Sequence, residues 1–286
     1  MRQIGIGEYF VWRKLASSDD EALQLADALI QKPLVWCEEA PVSSDLPVLN
    51  FVKFRVFYRA VKQYLSIILL LRAGRWEDAL VLARSLYELN MNLSEINCSS
   101  DPEQAATKFV RFGKFQLMRL EQKRLEDQLR DERLQAQPSA EAINECEQKL
   151  AAIASTPDRD FAEFRNPKRK WQESWSGVSV ETLAQRLATN TGGQRGESDY
   201  FVFRLGSLFT HNTPGSLFLV LPLDRDTADW NELRAAFDKA GRDGSRQFLH
   251  EASMCFVDIV GMASGSIADY DRQWFDDFAL PLLEKI

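Results

Sequence analysis

The chain has 286 residues, 45% of them hydrophobic and 27% charged, a balance that excludes intrinsic disorder and supplies apolar material for one large core. Its 42 acidic and 35 basic residues leave a net charge of −7, which argues against wrapping long nucleic acid by bulk electrostatics but leaves room for a local basic patch. The four cysteines, Cys37, Cys98, Cys146 and Cys255, are far apart and form no Cys-x-x-Cys pair; neither a disulfide framework nor a cysteine metal site is expected, and the thiols read as reduced, in the cytoplasm.

The opening segment MRQIGIGEYFVWRKL lacks the unbroken apolar core and small-residue cleavage site of an export signal. Ser17, Ser18 and Asp19 then offer N-caps for an amphipathic helix over residues 17–32, with Leu23, Ala26, Leu29 and Ile30 at helical spacing. From Leu49 to Ala73 the chain is apolar nearly all round, as a central helix should be. Its most apolar run, 64–71, is closed by Lys62 and Arg72 and falls far short of the roughly 20 residues that span a bilayer, so no membrane partner is expected. Gly74 ends this helix, and the next long helix follows at once, predicting an antiparallel hairpin over 49–98.

Asp101-Pro102-Glu103 supplies an N-cap with proline at the first helical position and predicts a third long helix to about residue 135. The glycine-free, charge-dense stretch beyond Lys114 is split by Pro138, and Ile143, Cys146, Leu150 and Ile153 make a thin apolar stripe after the split. Residues 114–155 therefore read as a protruding antiparallel helical hairpin, serving either as a solvated pair or as a dimerisation or partner-docking arm. Residues 157–178, rich in proline, tryptophan and charge, read as a loop or linker. Helices resume at SVETLAQRLA, a loop TNTGGQRGES follows, and two further helices are expected near 228–240 and 245–267, with a short amphipathic segment after Arg272. The expected fold is all-α, a single helical domain over 1–286 with an irregular multi-helix core.

Within ESDYFVFRLGSLFTHNTPG, residues 197–215, Tyr200, Arg204, Ser207 and His211 recur at steps of four, three and four, so on a helix they lie within about 60° of arc. A second polar stripe, Arg84, Glu88, Asn92 and Glu95, crosses an otherwise apolar helix, with Arg84 and Glu88 spaced for an ion pair. Buried charges need partners, so the two stripes are expected to face each other around a pocket holding Arg84, Glu88, Tyr200, Arg204, Ser207 and His211. Arginine presents a donor fork for phosphate and histidine moves a proton near neutral pH, a pairing suited to phosphoryl chemistry without a metal or other cofactor. The same residues would equally serve as a closed network that fixes helix register.

Phosphate-binding loops, dinucleotide turns and nucleophile elbows are absent; GMASGS at 261–266 has its serine in the wrong place, and neither histidine follows a glutamate by three. His250 reads as packing or surface. The ARSLYELNMNL helix, with the later Tyr-x6-Ser-x3-His segment preceded by LAQRLA, resembles an uncharacterised family of helical bacterial proteins, a domain of unknown function, over roughly residues 45–265. That resemblance implies an all-helical fold and a bacterial origin. More narrowly, Arg204 to His211 is similar to the R-x(4–6)-H motif of HEPN domains, the higher eukaryote and prokaryote nucleotide-binding helical domains, many of them metal-independent ribonucleases of toxin and antiviral systems. The similarity implies His211 as acid/base, Arg204 as the holder of the scissile phosphate, the RNA 2′-hydroxyl as nucleophile, and a homodimer or partner protein that completes the site. The alternative is a non-enzymatic helical interaction or scaffold protein.

Overall fold

The computed structural model describes residues 17–39, 46–154, 156–168, 170–190, 197–210, 230–263, 274–283 and 285. Among them the regular elements are helical, with one isolated bridge between Arg165 and Trp171 in place of any strand. They fall into two compact units, one drawn from Met1–Cys98 and Leu183–Ile286, the other from Ser99–Thr182.

The first unit is built on the expected hairpin, α2 (Val48–Arg72) and α3 (Trp76–Asn97). Gly74 has a positive φ of 67°, and around it the Gly74 amide donates to the Leu71 carbonyl (2.9 Å) and the Arg75 amide to Leu70 (2.8 Å). These two bonds cap the last carbonyls of α2 and reverse the chain, a geometry open to glycine because it lacks a Cβ. Gln63 donates to Ser85 Oγ at 2.9 Å; each lies eleven residues from Gly74, which fixes the antiparallel register.

Helix α1 (Ser17–Glu39) buries Leu23, Ala26, Leu29 and Ile30 as expected. It does not stop at Lys32: it runs through Pro33 to place Trp36 edge-on against Trp274 at 5.2 Å. Packing of this kind outweighs one lost backbone bond. The two helices expected near 228–240 and 245–267 are likewise one, Trp230–Ala263. Gly241 and Gly244 lie inside it, each costing only about 1 kcal/mol, while Phe248, Leu249, Ala252, Cys255, Phe256, Ile259 and Val260 are all buried. On this helix Phe256 stacks on Tyr64 at 4.4 Å, and Ser253 Oγ shares a 2.6 Å hydrogen bond with the Tyr64 hydroxyl. A π-helical turn, Phe275–Ala279, and a last turn, Leu280–Leu283, follow.

The second unit begins with α4 (Pro102–Arg133), whose N-cap Asp101 accepts from the Gln104 amide at 2.9 Å. Helix α5 (Ala140–Ala154) packs back on it: Leu125 and Cys146 are buried and Arg133 pairs with Glu147 at 2.5 Å. Residues 157–178 are more than a linker. They hold most of a short helix, α6 (Thr156–Asp160), a 3-10 turn, Ala162–Phe164, and the bridge that closes 165–171. Phe161, Phe164 and Trp171 from this segment meet Phe112 and Phe115 of α4 at centroid distances of 4.8–5.9 Å. Aromatic burial, worth about 150–250 Å² per ring, is what orders the segment.

Candidate functional site

Helix α8 (Glu197–Thr210) lies along α3, and α7 (Val180–Asn190) reaches the C-terminal end of the same helix at Ser94 and Glu95. The α3–α8 approach is unusually close. A Cβ on Gly206 would stand 2.7 Å from Arg84 Cβ and 3.0 Å from the Leu80 carbonyl oxygen, so only glycine fits there. Beside it, Arg84 Nε donates to Ser207 Oγ (2.9 Å) and Arg84 Nη2 to Glu88 Oε1 (2.9 Å). Ser207 in turn donates to the Phe203 carbonyl at 2.9 Å, and the Arg84 guanidinium lies 5.0 Å from the Phe203 ring centroid. The Arg84 side chain is 19% exposed and that of Glu88 35%, a half-buried charge pair in which Arg84 Nε and Nη2 each have an acceptor.

Further along α3 the polar stripe continues. Asn92 donates to the Glu88 carbonyl at 2.7 Å, Glu95 pairs with Arg186 of α7, and Asn190 donates to Ser94 at 3.4 Å. On another face, fully buried Asn90 donates to Asp258 at 3.1 Å.

Arg84, Glu88 and Ser207 are thus brought together, while Arg204 is exposed on α8. The reason is angular. At 100° per residue, Phe203, Gly206 and Ser207 define the line of closest approach, and Arg204 sits about 110° from its centre. Tyr200 lies on α8, where only its backbone is described, and His211 falls outside the described residues. Gly206 is the residue that sequence reasoning missed. A glycine inside an apolar helix signals a close backbone approach, and here that signal was overshadowed by the polar stripe.

Among the described residues no helix is long and apolar enough to cross a membrane, and no group of three or more histidine, cysteine, aspartate or glutamate side chains could hold a metal ion. The molecule is an all-helical protein in which a charged and hydroxylated seam joins two long helices. Over residues 50–228 it matches the family described as Family of unknown function (DUF5677), and it belongs to that family. The matched region contains Arg84, Glu88, Tyr200, Arg204, Ser207 and His211. No curated protein and no solved structure matches the chain.

Proposed function

We propose that this chain is a HEPN-like, metal-independent RNA-cleaving or nucleotide-phosphate-binding protein of a bacterial toxin or antiviral system. The observation that carries the reading is the exposure of Arg204 on a helix whose other side is locked to α3 by Gly206 and the Arg84–Ser207 bond. A guanidinium held on a rigid element but open to solvent suits phosphate capture. In the proposed reaction His211 takes the proton from a ribose 2′-hydroxyl, and the 2′-oxygen bonds to phosphorus as the bond to the 5′-oxygen breaks. The departing oxygen takes a proton from solvent water, leaving a 2′,3′-cyclic phosphate and a 5′-hydroxyl, while Arg204 stabilises the charge on the phosphorane. A second copy of the chain would complete the site.

A second reading is favoured by one observation. Arg84, Glu88 and Ser207 satisfy one another without a ligand, as a scaffold or interaction protein would use them. Incubation of the purified protein with mixed RNAs in EDTA separates the two. Under the ribonuclease reading, RNA is cut to cyclic-phosphate ends, and Arg204→Ala and His211→Ala each abolish cutting without changing the melting temperature. Intact RNA with wild-type protein, together with a His211→Ala variant of lowered melting temperature, would shift the assignment to the scaffold.

A further inference from the structure

The loop that opens with RNPKRKW lies in the second unit and takes no part in the site above. It is a built structure. The Asn166 amide donates to the Lys170 carbonyl (2.8 Å), the Lys170 amide to Asn166 Oδ1 (3.0 Å), and the Gln172 amide to the Phe164 carbonyl (2.8 Å). Its base is pinned by Trp171, which packs on Phe115 of α4 at 4.8 Å. The Arg165 guanidinium lies 3.8 Å from the Trp171 ring centroid, and that of Arg119 lies 5.9 Å from the Phe115 ring centroid. Two arginines 46 positions apart in sequence thus converge on two rings that touch each other, and Lys168 and Lys170 are exposed at the loop tip.

The charge of Arg119, Lys168 and Lys170 is not offset as charge is elsewhere in the unit. Ser99–Thr182 carries 14 basic and 15 acidic residues, and the cations of α4 and α5 are largely paired, as in Lys123–Asp127, Arg124–Glu121 and Lys149–Glu145. The carboxylates of Asp160 and Glu163 are engaged by Arg159 and Arg111, each at 2.7 Å. Among the described residues Arg119, Lys168 and Lys170 have no ion pair. Like charges held in a rigid loop repel, and a ligand with repeated anions relieves that repulsion.

We infer that Arg119, Lys168 and Lys170 form a binding surface for the phosphodiester backbone of single-stranded nucleic acid. Lying over the Phe115 ring, the exposed Arg119 guanidinium keeps its donor edge open to phosphate. Trp171 is already packed by Arg165 at 3.8 Å and by Phe115 at 4.8 Å, so recognition falls on phosphate and is independent of base sequence. A thin strand meets only the charges within a Debye length of about 8 Å, whereas a flat anionic membrane would also meet the acidic remainder of a chain of net charge −7. The inference does not rest on RNA cleavage, since it concerns a different unit and different residues.

The test is fluorescence anisotropy of 5′-labelled 20-nucleotide oligouridylate and oligothymidylate with the full chain in EDTA, across sodium chloride concentrations. Each single-strand phosphate contact contributes about −0.7 to the slope of log affinity on log salt. The Arg119→Gln/Lys168→Gln/Lys170→Gln variant should therefore flatten the slope by about 2 and weaken binding at least tenfold. Lys123→Gln/Arg130→Gln, which removes paired cations of the same unit, should leave both unchanged. Binding of either oligonucleotide with this pattern supports the surface, and the two arms tell RNA from DNA. If the triple variant melts early, the loop-only Lys168→Gln/Lys170→Gln variant should still lose about 1.4 of the slope. Absence of binding by either strand, equal losses in the paired-cation control, or loop-dependent binding to phosphatidylserine vesicles without binding to either strand would overturn it. Oligothymidylate has no 2′-hydroxyl and cannot be cut by the proposed route, so its loop-dependent slope keeps failure of this inference distinct from failure of the cleavage reading, which is scored by the cyclic-phosphate ends left on RNA.

Discussion

Alanine at position 206 and alanine at position 113 should move stability in opposite directions. At Gly206 the new methyl would lie 2.7 Å from Arg84 Cβ and 3.0 Å from the Leu80 carbonyl oxygen, about 1 Å inside normal carbon–carbon contact near 3.8 Å. Neither neighbour is the free end of a flexible side chain, so α8 must back away from α3. Overpacking of this kind costs about 1–3 kcal/mol, and retreat also stretches the Arg84–Ser207 bond, worth about 1 kcal/mol. The better helix propensity of alanine returns about 1 kcal/mol, leaving a net loss of about 2 kcal/mol. At Gly113, within α4, no atom lies within 4 Å of the added Cβ, so the propensity gain of about 1 kcal/mol stands alone. Hydrogen exchange resolves each unit separately, and differential scanning calorimetry should show Gly206→Ala about 4–8 °C below wild type. A Gly206→Ala protein as stable as wild type, with α8 amides equally protected, would refute the close-approach argument.

Two further outcomes follow from the α2–α3–Trp230–Ala263 core. Burial pushes the Tyr64 hydroxyl well above its ordinary value, the Ser253 hydrogen bond opposing this only in part; the folded state therefore keeps a proton that the unfolded chain releases above about pH 10. Its contribution to stability is full below that pH and is lost as pH rises beyond it, so absorbance at 295 nm should show one tyrosine that ionises only on unfolding, and a tyrosine count complete before unfolding would contradict this. Asn90→Asp would set a second carboxylate against Asp258, at the position of the present 3.1 Å hydrogen bond. It should cost about 3 kcal/mol at pH 7 and less at pH 4, where one carboxylate takes a proton; urea midpoints at the two pH values that shift equally would count against it.

Local signals carried much of the fold. Asp101-Pro102 began α4 and Gly74 turned α2 into α3 because caps and reversals depend on a few adjacent residues. Tertiary packing decided the rest. Gly241 and Gly244 looked like a break, although each costs a helix only about 1 kcal/mol, and Pro33 was tolerated because Trp36 had a partner almost 240 positions away. In the candidate site, helical spacing placed Arg84 and Ser207 on facing helices. An arc of about 60° is nevertheless broader than the line on which two helices touch, so the same spacing could not tell Ser207, which meets α3, from Arg204, which meets solvent. The aromatic cluster of 157–178 was the least legible feature, since its rings come from irregular segments with no period to read.

The interruption of the first unit by Ser99–Thr182 sets an order of events during synthesis. Tyr64 leaves the ribosome long before Ser253 and Phe256, the residues that cover it. At about 5–20 residues per second, the hairpin of α2 and α3 waits on the order of 10–35 s with its apolar side open, while every residue of the second unit emerges and can pack its own aromatic cluster. The nascent chain therefore passes through a period when its later-completed half is adhesive and its inserted half is already closed. A chaperone that masks α2 over that interval, or a pause in translation that prolongs it, would govern how much of this protein reaches the folded state.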